Sequence, residues 1–162
     1  MLKEQLQKDL MASLKSGDQV KRLVLGMLMT AVKSRELNKR QQLSKSISDA
    51  VELEKQSQLT GEELSEVIAG ETKKRKESVE QFRAGGREEL AQKEKAEMDI
   101  LMTYMPEQIS EDEIRTEVKK TIAELGASGV KDMGKVIGSV MSKIKGRADG
   151  GTVSKITKEL LQ

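Results

Sequence analysis

The stretch KDMGKVIGSVMSKIKGRADGG, residues 131–151, decides the fold class. Met133, Val136, Ile137, Val140, Met141 and Ile144 recur within it at helical spacing, which predicts an amphipathic helix with one apolar stripe. Lys131, Lys135, Lys143, Lys145 and Arg147 are assigned to the opposite face. GRADGG then breaks the helix, and Asp149 is placed to cap the next one with its side chain. A helix of this kind docks on one side and meets an anion on the other.

Working outward, the last segment carries Val153, Ile156, Leu160 and Leu161 on one face. Upstream, Ser110-Glu-Asp-Glu113 is a capping box that opens a helix bearing Ile114, Val118, Ile122 and Leu125 and stopping at Gly126. These three helices make a C-terminal subdomain over 106–162. Pro106 disfavours helical geometry at Met105, which marks the boundary and ends a preceding helix that starts near Arg87. That helix is read with Leu90, Met98, Leu101 and Met105 inward.

The first part, 1–105, reads as a helical bundle. Leu2, Leu6, Leu10 and Leu14 fall at four-residue steps up to Gly17, and Asp18 can cap a second helix. Val20, Leu23, Val24, Met27, Leu28, Ala31 and Val32 give that second helix the broadest apolar face of the half. Thr60-Gly-Glu-Glu63 is another capping box. The helix it opens has Leu64, Ile68, Val79 and Phe82 near one side, interrupted by Thr72 and Arg75. It is expected to be laced by Glu71 to Arg75 and Lys73 to Glu77 in solvent, until Ala84-Gly85-Gly86 stops it.

Composition removes whole classes of function. The 162 residues include no cysteine and no histidine, so thiol nucleophiles, thiolate zinc sites and the commonest general base are excluded. There are two aromatic residues, Phe82 and Tyr104, too few for stacking on single-stranded bases. No apolar run approaches membrane-spanning length, and MLKEQLQKDL reads as an amphipathic helix, not a signal peptide, so the expected compartment is the cytoplasm and no membrane partner is expected.

Gly129 to Val136 has P-loop spacing, but Val136 stands where a hydroxyl must hold magnesium and no strand precedes it. The carboxylate pairs Glu94 with Glu97 and Asp112 with Glu113 are expected on the surface, and no calcium-loop series surrounds Asp149. No cofactor, metal, catalytic residue or small-molecule substrate is therefore expected. Charge segregation is what survives. Residues 19–45 hold seven basic groups against Glu36, 46–66 hold six acids against Lys55, and 128–162 hold seven basic groups against three acids. Lysine contacts to phosphate carry affinity without sequence readout, so a folded RNA is one partner this pattern fits.

Leu101-Met-Thr-Tyr-Met-Pro-Glu-Gln-Ile-Ser110, Lys131-Asp-Met-Gly-Lys-Val136 and Lys145-Gly-Arg-Ala-Asp-Gly150 together resemble the YqeY family. KRLVLGMLMTAVKSRE, ETKKRKESVEQF and Gly86-Arg-Glu-Glu-Leu-Ala-Gln-Lys-Glu-Lys-Ala-Glu97 follow the family order, and the resemblance covers essentially the whole chain. The family is similar in architecture to the tail of GatB, a subunit of the tRNA-dependent aspartyl/glutamyl amidotransferase. The resemblance implies a helical bundle, a three-helix C-terminal subdomain, contact with tRNA or with a protein of aminoacyl-tRNA metabolism, and no catalysis. The carbon-nitrogen ligase label describes the enzyme to which the GatB relative belongs. The alternative readings are a protein-interaction module without nucleic acid, in which the same basic surface meets an acidic partner protein, or an accessory to amidotransferase action on aminoacyl-tRNA. Residue by residue, Tyr104 and Pro106 resemble a structural corner, Gly134 a close-packing position, and Gly146, Asp149 and Gly150 the turn between the last two helices. Lys131, Lys135, Lys143, Lys145 and Arg147 are the expected nucleic-acid contacts.

Overall fold

The computed structural model describes residues 2–144 and 146–162 and is all-α, with eight α-helices and one 3-10 turn among them. The chain divides into two compact units, Met1–Tyr104 and Met105–Gln162.

In the first unit, α1 (Leu2–Ser16) ends where Gly17 turns left-handed at φ 75°, and the Asp18 carboxylate accepts the Lys21 amide at 2.9 Å to start α2 (Gln19–Leu43). α2 is the hub. It packs against α1, α3 (Ala50–Ser57), α4 (Gly61–Ala84) and α5 (Glu88–Met102). Asp49 caps α3 through the Glu52 amide, and the Thr60 capping box is complete in both directions. Glu63, which closes that box, also holds the Lys39 ammonium at 2.8 Å. That hydrogen bond, followed by the Thr60 amide, pulls its carboxyl below the ordinary range.

The buried face of α2 differs from the one its periodicity suggests. Val24, Leu25, Leu28 and Val32 are at most 1% exposed, whereas Val20, Leu23 and Met27 are 45–49% exposed. The helix is apolar around more than half its circumference, and the neighbouring helices fix which part turns inward. The same correction applies to α5, where Leu90 lies outside and Ala91 is fully buried.

A second correction concerns α4 and α5. Arg75 is not laced to Glu71 in solvent, because α5 lies along α4 and brings two carboxylates to it. Arg75 Nε lies 2.9 Å from Glu97 Oε2 and 3.5 Å from Glu94 Oε2, and its Nη2 reaches the Met27 sulfur at 3.6 Å. Glu97 is 5% exposed, so the Glu94 and Glu97 pair is not a surface feature. Glu71 instead meets Lys74 at 2.7 Å, and Lys73 meets Glu77 at 4.0 Å.

Tyr104 closes the first unit. Its ring is buried and its hydroxyl donates to Asp9 Oδ2 at 2.6 Å, tying the end of the unit to α1. Burial, reinforced by the hydrogen bond to Asp9, pushes the phenol well above its ordinary 10.0. Because the folded-state value is raised, this contribution is fully present below the unfolded phenol range and is lost as pH rises through the folded value. Tyr104 is the chain's one tyrosine, so tyrosinate absorbance should stay absent through the normal phenol range and emerge only with unfolding. Tyr104→Phe should cost about 1 kcal/mol in urea unfolding.

The second unit holds α6 (Glu111–Leu125), the 3-10 turn Val130–Asp132, α7 (Met133–Ile144) and α8 (Gly150–Leu161), each helix packed on the other two. Its core is Ile114, Val118, Val136, Val140, Ile144, Ala148, Val153, Ile156 and Leu161, with Met133, Ile137 and Met141 packed against it. Ser110 and Glu113 form the second complete capping box, whose hydrogen bonds to Ser110 lower the Glu113 carboxyl. Gly126 closes α6 at φ 60°. Ahead of α6, the Ile109 amide donates to the Arg147 carbonyl at 2.9 Å and Gln108 Nε2 to the Gly146 carbonyl at 3.1 Å. Arg147 Nε returns a bond to the Glu107 carbonyl at 3.2 Å. Pro106 sits half-buried beside this lacing, and its carbonyl accepts Gln108 Nε2 at 2.8 Å.

Candidate functional site

The candidate surface is built on α7 and the turns at its two ends. Val136, Val140 and Ile144 turn its core side inward, which places Lys135 outward. Lys131 stands one turn earlier in the 3-10 turn, also exposed. Among the described residues, neither ammonium has a carboxylate within ion-pair distance. Asp132, between them in sequence, accepts the Ser128 amide at 3.1 Å.

The other end of α7 is different. Lys143 Nζ contacts Glu124 Oε2 at 2.5 Å, Glu117 Oε1 at 3.2 Å and the buried Thr121 hydroxyl at 3.1 Å, all on α6. Its ammonium is raised above the ordinary lysine value, first by the hydrogen bond to Glu124, and the Glu124 carboxyl is lowered by the same bond. Both shifts favour the charged pair between the carboxylate and lysine ranges, and the pair dissolves as pH falls through the lowered Glu124 value. Arg147 is exposed and keeps free donors beyond its bond to the Glu107 carbonyl, with Glu113 close enough to feel its charge. Lys145 lies outside the described residues.

The structure thus brings Lys131 and Lys135 together at the entry to α7 and sets Lys143 and Arg147 at its exit. Gly138 and Ser142 occupy the outward face between. The expected continuous cationic face is corrected in this respect, because α6 supplies carboxylates that hold Lys143. Two outward cations on α8, Lys155 and Lys158, belong to the same unit and fall off the Val153, Ile156 and Leu161 stripe. Their off-stripe position was the signal that could have found them.

The glycines and the turn separate into two groups. Gly146 takes φ 77°, a left-handed value that favours glycine, and Asp149 caps α8 by accepting the Thr152 amide at 3.1 Å. Gly150 is the first residue of α8, and a side chain there would meet Met141 Cε at an ordinary 3.7 Å. Gly134 is not a close-packing position. It is exposed, and a Cβ on it would meet nothing within 4 Å, because the helix turns that side away from α6 and α8.

Ammonium and guanidinium groups of this kind can donate charge-assisted hydrogen bonds to anionic oxygens. Among the described residues there is no grouping of three acids fit to hold a metal ion, and no helix long and apolar enough to cross a membrane.

Comparison with known proteins gives two results. Altered inheritance of mitochondria protein 41, mitochondrial, of Pyrenophora tritici-repentis (strain Pt-1C-BFP) is 39% identical over 105 residues, 63% of this chain. The match spans 58% of that relative's own length. The family model of Yqey-like proteins matches residues 3–161, and the chain therefore belongs to the Yqey-like protein family.

Proposed function

We propose that the chain is a non-catalytic binding protein whose second unit contacts the phosphate backbone of a folded RNA, tRNA being the intended class. The observation that carries this reading is the exposed, unpaired pair Lys131 and Lys135, with Arg147, Lys155 and Lys158 on the same unit. Lysine and arginine of this kind attract phosphate without reading bases, and the absence of histidine and cysteine removes the usual acid-base and nucleophilic chemistry. Gly138 and Ser142 present no bulky side chain between the two ends of α7. The proposed setting is the cytoplasm, in association with a tRNA-dependent amidotransferase. The relative's name places that protein in mitochondria, so fractionation of a tagged chain is the direct check.

Replacing Lys131 and Lys135 together with Glu should weaken tRNA retention in a filter-binding assay at least tenfold. It should also reduce the slope of log affinity against log salt by about 2. Lys143→Ala should change binding far less, because its charge is already met by Glu117 and Glu124. Unchanged retention by the double variant would remove the reading.

A further inference from the structure

A second surface lies on the first unit and is unrelated to the lysines of α7. Along α2, Val20, Leu23, Met27, Thr30, Ser34 and Leu37 follow one another at alternating steps of three and four residues. This is the seam spacing by which one helix receives another. Every one of the six is exposed, with Leu23 at 49% and Leu37 at 55%. From Val20 to Leu37 the seam runs about 25 Å at the α-helical rise, enough for roughly five turns of a partner helix. Gly26 beside it has open space where a Cβ would stand, and an apolar dent of about 390 Å³ is formed by Met29, Thr30, Lys33, Ser34 and Leu37.

Charge decides the occupant. Arg22 and Lys33, both exposed, make one edge of the seam basic, and among the described residues neither has a carboxylate within ion-pair distance; the other edge is mixed, with Arg35 beside Glu66, Glu71 and Lys74 of α4, where Lys74 holds Glu71 at 2.7 Å. The acids nearest in sequence are committed elsewhere. Asp18 caps α2, and Glu36 holds Lys3 at 2.5 Å. A second copy of α2 would set like charges against like. A nucleic acid would gain nothing from Val20, Leu23 and Met27. We propose that this seam receives an amphipathic helix of a partner protein with apolar residues at three-four spacing and acidic residues on its flanks.

The test uses the full chain and two designed helical peptides of about five turns, identical in their leucine seam, one flanked by Glu and the other by Lys. Fluorescence anisotropy should show saturable binding of the Glu-flanked peptide in the range of about 1–50 μM, at least tenfold tighter than the Lys-flanked one. Leu23→Glu with Leu37→Glu, at exposed positions that leave the helical circular dichroism unchanged, should weaken it tenfold or more. Arg22→Glu with Lys33→Glu should abolish the preference between peptides. Four results would overturn the proposal: no saturable binding of either peptide; equal binding of both; a dimer of the chain in sedimentation that the Leu23 and Leu37 double variant dissociates; or RNA binding, in place of peptide binding, lost in the Arg22 and Lys33 double variant.

Discussion

Arg75→Ala should remove about 3–5 kcal/mol from the stability of the first unit, as much as truncating one of its fully buried leucines. Two carboxylates converge on this guanidinium from α5, and the Glu97 side chain is only 6% exposed. Deleting the cation leaves buried negative charge with no partner. The loss is far larger than the worth of the pair measured against an apolar replacement. The double variant Arg75→Met with Glu97→Leu should therefore recover much of it, since Glu94, at 22% side-chain exposure, can turn toward water. Urea unfolding followed by circular dichroism checks both. A loss under about 1 kcal/mol for Arg75→Ala would mean that the ion pair behaves as a surface contact.

Ile156→Ala should cost about 2–5 kcal/mol in the second unit. Ile156 is 2% exposed at the centre of the cluster that joins α6, α7 and α8. A unit of this size buries little of its unfolded surface, so the loss is comparable to its whole stability. The expected result in native-state hydrogen exchange is collapse of amide protection throughout α6, α7 and α8. Ile137→Ala, at a half-buried position on the rim of the same cluster, should lower protection only modestly.

The ends of the helices were legible because their causes are local. Asp18, Thr60, Ser110 and Asp149 each accept an amide three residues on, and Gly17 and Gly126 adopt the left-handed turns that their positions call for. The faces of α7 and α8 were legible too, since their stripes are narrow and leave one inward direction. α2 was not. Leu23 and Leu25 are equally apolar, and the packing of the neighbouring helices selects Leu25. Arg75 was misread for the same reason, because Glu94 and Glu97 reach it from another helix and local spacing offered Glu71 instead. At the surface, periodicity placed Lys131 and Lys135 outward but could not show that α6 carries carboxylates at the height of Lys143.

The lacing between residues 107–109 and the corner at Gly146 and Arg147 has a consequence for dissection of the molecule. A fragment trimmed to the first residue of α6 would bare the Gly146 and Arg147 carbonyls and lose the anchor of the Arg147 guanidinium. A piece that keeps this lacing therefore starts at least four residues upstream of α6, at a stretch that has no regular secondary structure of its own.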